Sequence, residues 1–480
     1  MKTGEASRRL STLIEVLGLR IDQDSDRGEV IAALSGRPTF QAIWATLAVL
    51  KAGYPTMSDV RNTRNSLRIR GAELVVHELL KHGGGPARAE FEVIENAVIV
   101  DVFHTAATEL ATGIQRVVRE TVRRWAARDD LVLATWSADR GSLRRLTKSE
   151  KATALHGEKP RAMSLTASMP IIIPVGGTYI MPELGAEYWR TARVATIAEC
   201  AVMSTGMIGH DCVPLTSAET TGPGMPAAFS RYLSAAARMG RISVTSPASL
   251  AEYRGWCDML PGVGLRGPNI AMHTLASSVK RPAQSTLDQF SRKYADSENP
   301  LVVVVGSHEP RKNHLAILRA AEELWQKGER FTLLFIGGHS WRNDLFKSRL
   351  VELRSMGYPV ETAFAVTDDE LYSAYSLAWF TIYPSLNEGF GLPVSESLLL
   401  GTPAITSNFG SMAEIGRGHG ALLVDPRSAI DMAVAMSRLL KDHALHRSLS
   451  LEADAYRAKS WDTYASETWG YLTGFGASRP

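Results

Sequence analysis

A chain of 480 residues is too long for one hydrophobic core and points to two domains with something added. Its 45% hydrophobic and 21% charged residues exclude a mainly disordered protein. The 53 basic against 50 acidic residues, a net charge of +3, exclude the pervasive positive field of a nucleic-acid binder, so any basic site must be local.

Residues 1–95 are expected to form a helical extension. In "PTFQAIWATLAVLKAG" the apolar residues Phe40, Ile43, Trp44, Leu47 and Leu50 recur at helical spacing behind a Thr39 cap, with Gly53 as a stop. "SLRIRGAELVVHELLKHGGG" repeats the pattern, and Gly83 to Gly85 with Pro86 mark a boundary. The extension reads as a packing or docking element. Its DxD runs, Asp22 to Asp24 and Asp24 to Asp26, sit in a polar loop, so no metal site is expected. The opening residues show no sustained apolar stretch or cleavage pattern, and the longest apolar runs, around 170–175 and 301–305, are too short to cross a bilayer. Cys200, Cys212 and Cys257, without CxxC spacing, read as buried thiols rather than a disulfide framework or a zinc site. A cytoplasmic location is expected.

From Ala97 the pattern changes to short apolar strands alternating with helices: "AVIVDVF", "LVLATW", "PIIIPVGGTYIM", "CAVMSTGMIG" and "RISVTS". Strands of this kind are buried on both faces, as in a parallel sheet covered by helices. A second set follows, "LVVVVG", "FTLLFIGG", "AWFTIYP", "TPAIT" and "ALLVD". The fold class expected is therefore α/β, with two doubly wound, Rossmann-like domains facing a cleft. The boundaries are placed at 96–285 and 286–460, with residues 461–480 as a helix packing back across both. The polar stretch "KRPAQSTLDQFSRKYADSENP" reads as the linker.

Ligands of open α/β sheets bind beyond the carboxyl ends of strands, and three stretches there carry chemistry. After "AWFTIYP" comes "SLNEGFGLPVSES": Gly389 and Gly391 permit close approach of a ligand, and Pro393 suits the first turn of a helix whose N-terminus favours an anion. Glu388 before the turn and Glu396 within the helix would address different parts of an extended ligand, or else remain two solvated carboxylates. After "LVVVVG" comes "SHEPRKNH", where Arg311 and Lys312 can neutralise a diphosphate or form a basic surface loop. In "MIGHDCVP", His210 can donate to a sugar hydroxyl or serve a structural hydrogen bond, while Asp211 can orient it or cap the next turn.

The stretch from "TDDELYSAYSLAWFTIYPSLNEGFGLPVSESLLLGTPAIT" to "ALLVDP", with "GSHEPRKNH", "HDCVP" and "SWDTYA" in order, resembles the retaining glycosyltransferases of family 4, which have the GT-B fold. Residues 1–95 are not covered. The resemblance implies that Glu388 contacts the transferred sugar, that the backbone of Gly389, Phe390, Gly391 and Leu392 holds sugar and phosphate, and that Glu396 binds the ribose. It implies diphosphate binding by Arg311 and Lys312 beside Gly306, and contact of His210 with the donor sugar. Ser307 stands where many members carry arginine, and Phe364 where glycine is usual near the nucleobase. The implied reaction retains anomeric configuration and needs neither metal nor cofactor, the nucleotide sugar being a co-substrate.

"DVFHTAATELATGIQRVVRETVRRW" opens the first domain, and its "TGIQRVVRE" resembles bacterial enzymes of surface-polysaccharide synthesis. Thr112 is a cap and Gly113 a point of close approach, both assigned to the acceptor side. The arginines Arg116, Arg119 and Arg123 form either a solvated basic face or a surface for anionic lipid. The expected partners are a nucleotide sugar, GDP-mannose being favoured, and a glycan or lipid-linked acceptor. No nucleic acid is expected; peripheral contact with the inner membrane is compatible with such an acceptor. A non-catalytic sugar-nucleotide scaffold and a nucleotide-sugar epimerase are the alternatives.

Overall fold

The computed structural model describes residues 3–19, 26–83, 89–109, 112–160, 169–201, 203–295, 299–338 and 340–474. Helices Thr3–Leu17, Asp26–Leu34, Phe40–Leu50, Met57–Arg70 and Ala72–His82 form the N-terminal region. The Thr39 hydroxyl accepts the Ala42 N–H at 3.1 Å, capping Phe40–Leu50. That helix buries Ile43, Trp44, Leu47 and Leu50 at its centre. Helical structure ends at His82: Phe91–Glu95 is a strand, paired in parallel with Ile171–Val175. The helices share one continuous core with the first sheet, and the Tyr54 hydroxyl donates to the Ile172 carbonyl at 2.5 Å.

Among the described residues the first domain has a seven-stranded sheet. Its order is Leu143–Arg145, Leu131–Trp136, Val98–Asp101, Thr178–Met181, Ser204–Gly209, Arg241–Val244 and Asn269–Met272. Only the edge strand Leu143–Arg145 is antiparallel to its neighbour. The second sheet has six parallel strands, in the order Val360–Ala363, Thr332–Ile336, Leu301–Val305, Phe380–Tyr383, Ala404–Ser407 and Ala421–Val424. Their near-continuous burial explains the runs of Val, Ile and Leu in the sequence.

Three sequence expectations change in detail. "PIIIPVGGTYIM" is two strands in different sheets, because Gly176 and Gly177 take φ of 72° and 77° and turn the chain between them. A Cβ on Gly177 would lie 2.1 Å from the Ala97 carbonyl oxygen. In "CAVMSTGMIG", Cys200 closes helix Tyr188–Cys200 and only Ser204–Gly209 is strand. The expected linker contains helix Gln284–Tyr294, whose Phe290 is buried with Leu301, Val303 and Leu334 of the second domain. Its narrow apolar stripe is obscured by a polar average composition.

Helix Trp461–Thr473 returns to the first domain, where the Trp125 indole donates to the Ala465 carbonyl at 2.8 Å. Its first turn belongs to the second domain: Trp461 and Tyr464 pack with Phe390 and Val394. One helix thus ties the two domains together on the side of the cleft.

Candidate active site

The loop after Phe380–Tyr383 carries Glu388, and the turn Pro310–Lys312 after Leu301–Val305 brings Arg311 and Lys312 beside it. The two strands are neighbours in the sheet, so their carboxyl-end loops meet. Arg311 Nη1 lies 2.5 Å from Glu388 Oε2, and Lys312 Nζ lies 2.6 Å from Oε1. The Tyr383 hydroxyl and Ser385 hydroxyl also donate to Oε1, at 2.8 and 2.6 Å. Arg311 reaches Glu309 as well, at 2.8 Å. Tyr383, Ser385 and Glu309 escaped the sequence reading, although their positions at strand ends were a usable signal.

This geometry fixes the charges. Burial alone would raise the Glu388 carboxyl, but Arg311 and then Lys312 hold it down at about 2. Burial depresses the Lys312 ammonium, and the neighbouring Arg311 depresses it further. Gly306, at φ 151°, lines the stem of Lys312: a Cβ there would lie 3.5 Å from Lys312 Cγ and Cδ.

Helix Leu392–Leu399 begins at Gly391, whose φ of 110° is open to glycine and costly for other residues. Pro393 occupies its first turn, as the sequence indicates. Glu396 is buried one turn in and does not meet Glu388. Its Oε1 pairs with Arg116 of the first domain, and its Oε2 accepts the Tyr375 hydroxyl at 3.1 Å. Arg116 also donates to the Tyr372 hydroxyl at 2.8 Å. Burial pushes the Glu396 carboxyl up, against the lowering by Arg116 and Tyr375.

His210 belongs to the first domain and touches the Glu388 loop through its backbone. A Cβ on Gly389 would sit 2.6 Å from the His210 carbonyl oxygen. The hydroxyls of Thr245 and Ser249 each reach both that oxygen, at 3.1 and 2.9 Å, and the Gly389 carbonyl, at 3.4 and 3.2 Å. Asn387 donates across the same seam to Thr216 at 2.9 Å. The His210 ring is buried and its pKa lowered by that burial; its Nε2 lies 2.9 Å from the Pro182 carbonyl. A carbonyl only accepts, so Nε2 carries the hydrogen. Asp211 caps the next turn, accepting the Val213 N–H at 3.1 Å.

Thr112 stands at the N-cap of helix Gly113–Arg128, but its hydroxyl bonds the Gln115 side chain rather than a backbone N–H. A Cβ on Gly113 would meet nothing within 4 Å. The basic face expected on this helix is largely consumed by pairing. Arg116 turns to Glu396, Arg119 is buried and donates to the Thr108 carbonyl, and Arg123 and Arg124 pair with Glu120. The lipid-facing reading of this helix is therefore dropped. Near the expected nucleobase region, Phe364 is 46% exposed and stands 5.6 Å from the His308 ring. Asp22 and Asp24 lie outside the described residues, while Asp26 begins a helix. Among the described residues no helix is long and apolar enough to cross a membrane.

Residues 287–455 match the family model of glycosyl transferases group 1. The serotype-specific mannosyltransferase WbdA of Escherichia coli is 24% identical over 356 residues, covering 69% of this chain and 41% of that protein. The O-antigen chain mannosyltransferase B of Escherichia coli is 29% identical over 187 residues, covering 37% of this chain and 46% of that protein. The chain thus spans less than half the length of these curated relatives. Among solved structures, sucrose-phosphate synthase from Thermosynechococcus elongatus superposes with a TM-score of 0.57 at 18% identity, over 80% of this chain and 100% of that one. WaaG, a glycosyltransferase involved in lipopolysaccharide biosynthesis, gives 0.52 at 14% identity, over 78% and 100%. The fold is GT-B.

Proposed function

With a glycosyl transferases group 1 domain facing a second Rossmann-like domain across a GT-B cleft, we propose that the protein transfers a hexosyl group from a nucleotide sugar. The acceptor is a glycan or lipid-linked sugar of bacterial surface polysaccharide, met at the cytoplasmic face of the inner membrane. The names of the Escherichia coli relatives favour mannose, and hence GDP-mannose, as donor. The observation that carries the reading is the buried cluster of Glu388, Arg311 and Lys312 at the carboxyl ends of adjacent strands.

In this proposal Glu388, ionised at any physiological pH, accepts hydroxyls of the donor sugar. Arg311 and Lys312 face the negative charge that grows on the leaving diphosphate as the sugar acquires oxocarbenium character. An ammonium has three donors, and among the described residues Lys312 donates hydrogen bonds to Tyr383 and Glu388, with Glu309 at 3.9 Å, so its third donor serves a phosphate oxygen. The Gly389 to Leu392 backbone at the helix start holds sugar and phosphate, and Glu396 accepts the ribose hydroxyls. The His210 ring, held by Pro182, would meet the donor sugar from the first domain. The departing phosphate oxygen takes the acceptor's proton, and configuration is retained.

A thermal-shift series with GDP, UDP, ADP and their sugar conjugates, without added metal, tests this directly. Selective stabilisation by GDP and GDP-mannose supports the donor assignment. A shift with UDP compounds alone replaces the donor, and no shift with any nucleotide overturns the transferase reading in favour of a scaffold. Products formed from donor alone separate transfer from epimerisation.

A further inference from the structure

The first domain holds a second organised polar cluster that the donor site does not use. Asp101, at the end of strand Val98–Asp101, is fully buried and accepts the Trp136 indole N–H at 2.8 Å and the Tyr179 hydroxyl at 2.7 Å. Arg190, also fully buried, lies 2.9 Å from Asp101 and 2.8 Å from Glu183. Glu183 in turn accepts the backbone N–H groups of His104 and Thr105, at 2.8 and 3.0 Å, and the Thr105 hydroxyl at 2.8 Å. Burying three charges is costly, and apolar residues would stabilise the core as well. What the triad achieves is a rigid junction between segments 102–107 and 182–190, which leave the carboxyl ends of neighbouring strands.

Above that junction His104 and Glu187 are presented to solvent. His104 Nε2 lies 2.5 Å from Glu187 Oε1, with side chains 39% and 29% exposed. Glu187 occupies the N-cap of helix Tyr188–Cys200 but makes no capping bond, so its carboxylate serves the histidine instead. Burial disfavours the imidazolium, yet the Glu187 hydrogen bond and the field of Glu183 more than offset this and raise its pKa. The second ring nitrogen has no partner among the described residues. Next to Glu187 in the chain, Tyr188 is 72% exposed, its ring open to solvent among the described residues. The junction is linked to the donor side through the chain: Pro182, which holds the His210 ring, precedes Glu183.

We propose that His104, Glu187 and Tyr188 form the acceptor subsite, and that its ligand is a pyranoside. A pyranose ring offers an apolar C–H face, which suits the exposed tyrosine ring, and hydroxyls, which suit a fixed imidazole and carboxylate. The His104 nitrogen left without a partner bonds a sugar hydroxyl, accepting from it in the neutral ring and donating to it in the imidazolium, Glu187 fixes the ring's orientation, and Tyr188 stacks on the sugar. This assignment rests on the transferase reading, but its test does not depend on turnover.

Saturation-transfer NMR of the full chain with methyl α-D-mannopyranoside, methyl glucoside and methyl galactoside reads the subsite. The wild type shows saturation transfer from at least one glycoside, and Tyr188→Ala and His104→Gln each weaken that binding about fivefold or more. Tyr188 is open to solvent, so its variant folds even if the histidine variant does not. No transfer to the wild type, or equal binding by both variants, overturns the subsite. Nucleoside diphosphate stabilisation, measured on the same proteins, reports separately on the donor reading: its absence in the wild type fails that reading and leaves the glycoside result standing.

Discussion

Arg116 of the first domain and Glu396 of the second form an ion pair across the cleft, enclosed by Tyr372 and Tyr375. Glu396 is only 3% exposed. A carboxylate so buried needs a counter-ion, and the described residues of the second domain do not supply one in contact with it. The nucleotide end of the proposed site is therefore complete only while the two domains are together.

Removing Arg116 should make nucleotide affinity depend on pH. Glu396 faces Arg116, Tyr375 and the more distant Asp368, with Tyr372 on Arg116, so among the described residues Arg116 is its one close cation. Its pKa is already raised by burial, and in Arg116→Met it rises further, so the carboxyl stays protonated to higher pH. Nucleoside diphosphate binding in the variant is expected to weaken about tenfold more than in the wild type between pH 8 and pH 6. Calorimetric titration at both pH values checks this; parallel profiles would remove Arg116 from the site.

The ion pairs of Glu388 bear on stability as well as on the proposed transfer. Its carboxyl falls from an ordinary 4.5 to about 2, so the stabilisation is fully present above 4.5 and is lost as pH falls toward 2. Denaturation of wild type and Glu388→Gln should differ by up to about 3 kcal/mol at pH 5, narrowing by pH 3. Glu388→Gln should also lower transfer about 100-fold or more. Glu388→Ala is the poorer probe, because it takes the 2.6 Å carboxylate from the buried Lys312 and leaves Arg311 with Glu309 alone, and should cost about 3–5 kcal/mol.

Gly389→Ala should separate the domains. The added Cβ would meet the His210 carbonyl at 2.6 Å and Asp211 Oδ2 at 3.0 Å, and a backbone atom cannot rotate out of the way. Both Rossmann-like cores lie away from the contact. The expected result is an increased radius of gyration by small-angle scattering, with transfer reduced about tenfold or more. An unchanged scattering profile with full activity would show that the contact is dispensable.

Trp44→Ala should unfold more than the helical region. Trp44 is 2% exposed and stands in the same core as Ile172 and Trp136 of the first domain. The loss is expected to be about 3–5 kcal/mol. In calorimetry the transition that includes the first domain should move down while that of the second stays. A shift confined to a small separate transition would instead make the extension an independent unit.

The sequence alone determined the alternation of buried strands and helices, the two-sheet GT-B organisation and the location of Glu388, Arg311 and Lys312 at strand ends. These follow from local rules: apolar runs for buried parallel strands, glycine and proline at turns, and carboxyl-end loops as ligand positions. Sequence reasoning did not separate Ile171–Val175 from Thr178–Met181, because a glycine pair within an apolar run leaves the periodicity unchanged. Nor did it find the helix Gln284–Tyr294, whose apolar stripe is one narrow face. Only the tertiary structure decided which charges meet. Arg116 and Glu396 are 280 positions apart, and no local pattern distinguishes that arginine from Arg119 or Arg123. The same holds for His104 with Glu187, and for the His210 backbone against Gly389: each contact depends on how two loops or two domains are brought together, and so on the packing of the whole cores beneath them.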